Sequence, residues 1–243
     1  MARSGERAPG FLAFAFRWEY EFLEQRAAFF LHPQEVSYFH TLQFQSRRES
    51  YLLGRCAGKR ALASLVPEEP PARIEIARGL FHQPIVQCLA AAVPELSLAH
   101  SKNIAVAVAT ASGHIAAVDV ELLEADKLSA LSSCASATER ALLDKVDCST
   151  TEGLFLLFTM KEALSKALRC GLTAPFSVFE VARLETVGER AFVAHFSNFA
   201  QYKALSWIVA GHALSLVVPA RSAVGFTPNT ELERDLRRAA GVG

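Results

Sequence analysis

Apolar and polar positions change period several times along the chain, and the expected elements follow from those changes. "FLAFAFRW" near the N-terminus reads as a strand, and residues 32–66 carry helical spacing that ends before Pro67. Within that stretch Leu52, Leu53, Cys56, Ala57, Arg60, Ala61 and Leu65 recur at helical intervals, which leaves Arg55 and Lys59 together on a flank. "EEPP" breaks the pattern, and residues 72–86 follow as a strand with a turn at Gln83-Pro84. "LSLAHSKNIAVAVATASGHIAAVDVE" then reads as strand, loop, strand, turn, strand, with residues 99–103 as the loop. The uninterrupted apolar run Ile104 to Ala109 predicts a central strand covered on both faces.

The second half repeats this order. "ASATERALLDKV" and "EGLFLLFTMKEALSKALRC" read as helices, the second with a buried stripe of Leu157, Met160, Leu164, Ala167 and Leu168. Its polar side holds Lys161, Glu162, Ser165, Lys166 and Arg169, and it is expected to stop at Gly171. Strands follow at 176–184, 190–197 and 202–219, and the charged tail from Arg221 has little to bury. Each half runs helix then antiparallel strands, and each has a Gly-His step in an apolar hairpin, Gly113-His114 and Gly211-His212, with the histidines read as turn residues. The expected fold class is α+β, a weak internal duplication with its junction near Asp119. The organisation read from it is a flexible N-terminus at 1–10, an N-terminal subdomain at 11–117, a C-terminal subdomain at 118–222 and a tail at 223–243.

Composition narrows the function classes. Of 243 residues 51% are hydrophobic, ample for a core, so disorder of most of the chain is excluded. Lys+Arg and Asp+Glu both number 25, so no global field attracts nucleic acid or an anionic membrane, and any phosphate chemistry must come from a local cluster. The uncharged stretches 104–118 and 204–220 fall short of a membrane span and are broken by the Gly-His steps, so they read as buried hairpins. The five cysteines have no metal-type or disulfide-type spacing and read as reduced, mostly buried thiols of a cytoplasmic protein. The apolar stretch near the N-terminus is too short for a signal-peptide core.

Several side chains carry possible chemistry. Asp119 and Glu121 stand two apart in a strand and leave one face together, so their charges repel unless something positive lies between them. Two readings fit: a strand end reaching solvent, or a hard divalent cation such as Mg²⁺, which takes few protein ligands and leaves room for substrate phosphates. Glu162 and Lys166 form an i,i+4 pair in its favoured orientation, worth about 0.3–0.5 kcal/mol when exposed. Glu162 becomes more than half a solvated pair only if the fold brings it beside the two acids. His100 reads as a loop histidine, a phosphate donor or a proton carrier, and Arg55 with Lys59 as a wet face or a local anion site. No GxSxG, P-loop or HExxH pattern occurs, so nucleophilic serine or cysteine chemistry is not favoured.

Taken in order, "SYLLGRCAGKRAL", "HQPIV", "LSLAHS", "AAVDVE" and "FTMKEALSKALRCGL" resemble the motifs of the Sfp-type 4′-phosphopantetheinyl transferase family. The resemblance implies a pair of similar α+β subdomains with the active site at their junction. It also implies an enzyme that moves the phosphopantetheine arm of coenzyme A onto a serine of an apo acyl or peptidyl carrier protein, releasing 3′,5′-ADP. Asp119, Glu121 and Glu162 fall on the family's magnesium-ligand positions, Mn²⁺ being the alternative ion. His100 falls on a phosphate-contacting histidine, Lys161 and Lys166 on lysines near the diphosphate, and Lys59 on a basic position near the nucleotide phosphate, with Arg55 and Ser101 grouped among the cofactor-binding positions. Glu162 would take the serine's proton and Lys166 would stabilise or protonate the departing phosphate, with His100 the third catalytic candidate. A monomer is expected, with no nucleic-acid or membrane partner. His82-Gln83 replaces the family's Gly-Lys before Pro84, and Ala99 stands where a hydroxyl residue is usual. Two other functions share these features: a non-catalytic protein of the same fold that binds coenzyme A or a carrier, and a magnesium-dependent phosphohydrolase.

Overall fold

The computed structural model describes residues 9–226 and 228–241; most of the N-terminal segment expected to be flexible lies outside them. The chain forms two compact units: Met1–Leu98 with Ala105–Ala116, and Ala99–Ile104 with Ala117–Gly243. Both mix helices with antiparallel strands, so the fold class is α+β.

The first unit opens with β1 (Gly10–Phe16) and the short helices α1 (Tyr20–Gln25) and α2 (Ala27–Phe30). Next come α3 (Pro33–Thr41) and the long α4 (Gln45–Ala63), then β2 (Glu75–Arg78), β3 (Pro84–Gln87), β4 (Glu95–Ser101) and β5 (Ile104–Thr110). Strand order is β1-β5-β4, with β2-β3 as a separate hairpin. Leu53, Ala57, Ala61 and Leu62 of α4 pack on Ile74, Ile76, Val86 and the small residues Ala105, Ala107 and Ala109. Ile104–Ala109 is buried throughout, as a strand covered on both faces requires.

The second unit repeats the order. β6 (Ala117–Leu122) is followed by α5 (Leu128–Ser133), α6 (Ala137–Leu143) and α7 (Thr150–Ala167). Then come β7 (Val181–Gly188), β8 (Ala191–Phe196), β9 (Tyr202–Val209) and β10 (His212–Pro219). The sheet runs β6-β10-β9-β8-β7, so in both units the first strand pairs with the last and the last with the one before it. Phe155, Leu156, Met160 and Leu164 of α7 pack on Val181, Phe192, Phe196 and Val217. The β9–β10 turn has positive φ at both Ala210 (48°) and Gly211 (75°), the two-residue geometry that matches strand twist.

One device occurs in both copies. Glu35 closes the N-terminal turn of α3, its Oε2 accepting from His32 N at 2.8 Å, while Oε1 accepts from Ile76 N of β2 at 2.9 Å. Lys59 of α4 lies 2.8 Å from the same Oε2. In the second unit Glu139 Oε2 accepts from Ser136 N at 2.9 Å, Oε1 from Val181 N of β7 at 2.9 Å, and Lys161 of α7 stands 2.7 Å from Oε2. A buried carboxylate thus ties a helix start, a long helix and the next strand, and the lysine neutralises it.

Four expectations change. The tail forms α8 (Thr230–Ala240), capped by Asn229 Oδ1 accepting from Leu232 N at 2.9 Å, with Leu236 and Ala239 buried. Their helical spacing was masked by the surrounding charges. Residues 99–101 continue β4 rather than forming a loop, so the turn is only Lys102-Asn103. His212 is not a turn residue but the first residue of β10, 1% exposed. Of the five cysteines, all free, only Cys56 is buried and the others are half-buried.

Candidate functional site

The chemistry-bearing side chains of the second unit gather where β6 meets α7. Alternation along β6 puts Ala117, Asp119 and Glu121 on one face. Register sets Asp119 opposite Ser215 of β10, and Ser215 opposite Ser206 of β9, so a polar row crosses an otherwise apolar sheet. α7 lies on this row: Thr159 Oγ1 is 2.8 Å from Ser215 Oγ, which is 2.8 Å from Ser206 Oγ, all fully buried. Buried hydroxyls must find partners, and these find one another. The row therefore specifies where α7 sits along the strands.

Glu162 and Lys166 follow from that placement. Lys166 Nζ lies 2.7 Å from Asp119 Oδ1 and donates to Val118 O at 3.2 Å. Asp119 Oδ2 and Glu162 Oε1 are buried without a hydrogen-bond partner. Burial pushes the Glu162 carboxyl up to about 7, the Asp119 and Glu121 charges add to the rise, and Lys166 opposes it. Asp119, 6% exposed, is also raised by burial against the pull of Lys166. Two orphaned acid oxygens beside an ammonium are an arrangement that folding alone does not favour.

Glu121 is placed differently. Its Oε2 accepts from Ser101 Oγ at 2.9 Å and lies 2.8 Å from Lys127 Nζ. Ser101 Oγ also accepts from Leu122 N at 3.0 Å, pinning the turn of β4 to the end of β6. Among the described residues no group of three or more His, Cys, Asp or Glu side chains is placed to hold a metal ion. The donor set still fits Mg²⁺, which binds through one or two carboxylates and keeps the rest of its shell for water and substrate phosphates. The two orphaned oxygens of Asp119 and Glu162 are of that kind.

The other expected residues lie elsewhere. His100 is exposed on β4, on the opposite face of the strand from buried Ser101. Lys161 is not on a polar side of α7 but 1% exposed, bound to Glu139 and donating to Cys134 O at 2.8 Å. Nor is Lys59 on a wet face: it is 4% exposed, with Glu35 and the carbonyls of Pro71 and Ile74 as partners. Arg55, in the same unit, reaches Glu35 Oε1 at 3.1 Å and stacks 4.5 Å from the Tyr51 ring. α7 ends at Ala167, and Arg169 with φ 56° takes the left-handed position ahead of Gly171.

The sequence reading missed Glu139, Lys127, Thr159, Ser206 and Ser215. Glu139 carried a readable signal, the capping box Ser136-Ala-Thr-Glu139. The hydroxyls and Lys127 carried none, because cross-strand register and chain reversal set their neighbours.

Comparison with known proteins finds a family match over part of the chain. Residues 116–217 match the family model ACPS, the 4′-phosphopantetheinyl transferase superfamily. That stretch spans β6 through most of β10 and holds Asp119, Glu121, Glu162 and Lys166. No curated protein gives a significant match. Among solved structures, a holo-(acyl-carrier-protein) synthase from Bacillus anthracis, in complex with CoA (3′,5′-ADP), is 24% identical; the match covers 42% of this chain and 93% of that one, TM-score 0.39. A holo-ACP-synthase from Plasmodium yoelii is 21% identical over 44% of this chain and 97% of that one, TM-score 0.35. The holo-[acyl-carrier-protein] synthase of Thermotoga maritima is 22% identical over 46% and 67%, TM-score 0.34.

Proposed function

We propose that the protein transfers the 4′-phosphopantetheine arm of coenzyme A to a serine of an apo carrier protein, in a magnesium-dependent reaction. The observation that carries this reading is the pair of orphaned, buried oxygens on Asp119 and Glu162 with Lys166 at Asp119, within the stretch that matches the transferase superfamily.

Asp119 and Glu162 would hold the ion, with Glu121 the third acid. When bound, Mg²⁺ supplies charge neutralisation to the diphosphate. Glu162 would take the carrier serine's proton as general base. The serine oxygen bonds to the phosphorus bearing pantetheine while that phosphorus parts from the bridging oxygen, which leaves with 3′,5′-ADP. Lys166, already at Asp119, stands ready to neutralise or protonate the departing phosphate. Ser101 orients Glu121.

Intact-mass spectrometry of an apo carrier protein incubated with this protein, coenzyme A and Mg²⁺ tests the reading. A gain of one phosphopantetheine, abolished by EDTA, is the expected result. No gain across acyl and peptidyl carriers, with coenzyme A still bound, would replace it with a binding function; carrier-independent breakdown of coenzyme A would replace it with hydrolysis.

A further inference from the structure

Of the three acids, two already meet a cation of the chain itself: Asp119 meets Lys166 through Oδ1, and Glu121 meets Lys127 through Oε2. Lys127 lies just before α5, outside every motif, and its Nζ stands 2.8 Å from Glu121 Oε2 and 3.4 Å from Glu124 Oε2. Glu124 is held in turn at its other oxygen by Lys102, so Lys127 faces two carboxylates and its nearer contact is Glu121. A carboxylate in contact with an ammonium cannot also turn that oxygen to a divalent ion without placing two cations against each other. Asp119 keeps its second oxygen unpartnered beside Lys166, whereas on Glu121 both the Lys127 contact and the Ser101 hydrogen bond fall on Oε2.

We propose that Lys127 is a built-in counter-ion that competes with the divalent cation for Glu121, so that Glu121 joins the ion only when Lys127 withdraws. The inference rests on the metal reading given above. The Lys127 side chain is 38% exposed and ends a flexible four-carbon stem, so it can swing away without disturbing the core. A substrate diphosphate offers it an alternative partner. Cation binding is therefore weak in the free protein and strengthened once phosphate draws the ammonium off. Lys127 is a positioning residue in this scheme; it reaches the reaction through Glu121.

The test is direct binding of Mn²⁺, followed by electron paramagnetic resonance and calorimetry, to the wild type, Lys127→Met, Lys127→Gln and Lys127→Arg, with thermal melts establishing that each is folded. Removing the ammonium in either neutral variant should tighten Mn²⁺ binding by about tenfold, the scale of one adjacent unit charge at a partly exposed site, while Lys127→Arg stays at the wild-type value. In a Glu121→Gln background the Lys127→Met gain should vanish, since the two substitutions act on one contact. Unchanged or weaker binding by the neutral variants, with wild-type binding intact, overturns the competition. Absence of Mn²⁺ binding by every variant overturns the metal reading itself and this inference with it.

Discussion

The two units carry the same anchor and different chemistry. Glu35 with Lys59, and Glu139 with Lys161, each fix a helix start, a long helix and the next strand through one buried carboxylate. Counting from the anchoring lysine, the residues one and five positions on are Arg60 in α4 and Ser64 just past its end, but Glu162 and Lys166 in α7. Arg60 is spent on Glu19 at the surface, whereas Glu162 is held half-buried with an unpartnered oxygen. Two positions before the lysine, α4 has buried Ala57 and α7 has Thr159 in the hydroxyl row. β1 presents GFLAFAF where β6 presents AVDVEL. The shared framework is thus a scaffold, and the unpartnered acid oxygens and Lys166 stand on one copy of it.

Removing the second unit's distinguishing acid should break the comparison most sharply. Asp119→Asn keeps the shape and a partner for Lys166 but loses the charge, and transfer to a carrier is expected to fall by about 10²–10³-fold with the melting temperature little changed. Normal turnover in Mg²⁺ would remove Asp119 from the site.

The anchors give the next largest effect. Lys161→Met strands buried Glu139 and should cost about 3 kcal/mol in urea denaturation, and Lys59→Met should cost less because Arg55 still reaches Glu35. The local sign is faster amide exchange at Ile76 for the first variant and at Val181 for the second, because Glu35 and Glu139 hold those N–H groups. Only Lys161→Met should also slow transfer by the folded protein, since Glu162 follows it on α7. If instead both lysines serve as phosphate ligands, KM for coenzyme A rises while stability and exchange stay put.

A smaller effect distinguishes the helices' seats. Ser215→Ala leaves Thr159 and Ser206 without their common partner and should cost about 1–2 kcal/mol with a few-fold loss of transfer, and Thr159→Ser should retain most activity. A loss of stability with kinetics untouched would reduce the row to packing.

How much of this was legible in the sequence depended on how local the cause is. Asp119 and Glu121 share a face because strands alternate, and Glu162 and Lys166 share one because helices turn every 3.6 residues, so four residues of the site were readable from spacing. Lys161 was misread because the same periodicity put it on a polar side, while its partner Glu139 lies 22 residues away in sequence. His100 and Ser101 were read as a loop because their polarity suggested one, yet pairing in β4 sends them to opposite faces. Asp119's neighbour Ser215 is set by cross-strand register, which no sequence spacing encodes.

The smallest effect concerns the turns that follow the two long helices. The β2–β3 hairpin holds His82 at φ 64°, and the β7–β8 turn holds Arg190 at φ 55°, both in the region glycine enters without steric cost. In the resemblance drawn from the sequence, His82 stands at the family's Gly-Lys step, and its left-handed φ is one that a glycine would also suit. Gly79 N still donates to Gln83 O at 2.8 Å, and Phe81 N to Gln83 Oε1 at 3.0 Å, so Gln83 closes the turn in place of a lysine. His82→Gly should relieve the left-handed strain, offset in part by glycine's greater chain entropy, for a net gain of about 0.5 kcal/mol in the urea midpoint. Gln83→Lys in the same background separates shape from charge: a fall in KM for coenzyme A with stability unchanged would mean that the hairpin reaches substrate phosphate, whereas lost stability with unchanged KM would leave Gln83 as a turn-former alone.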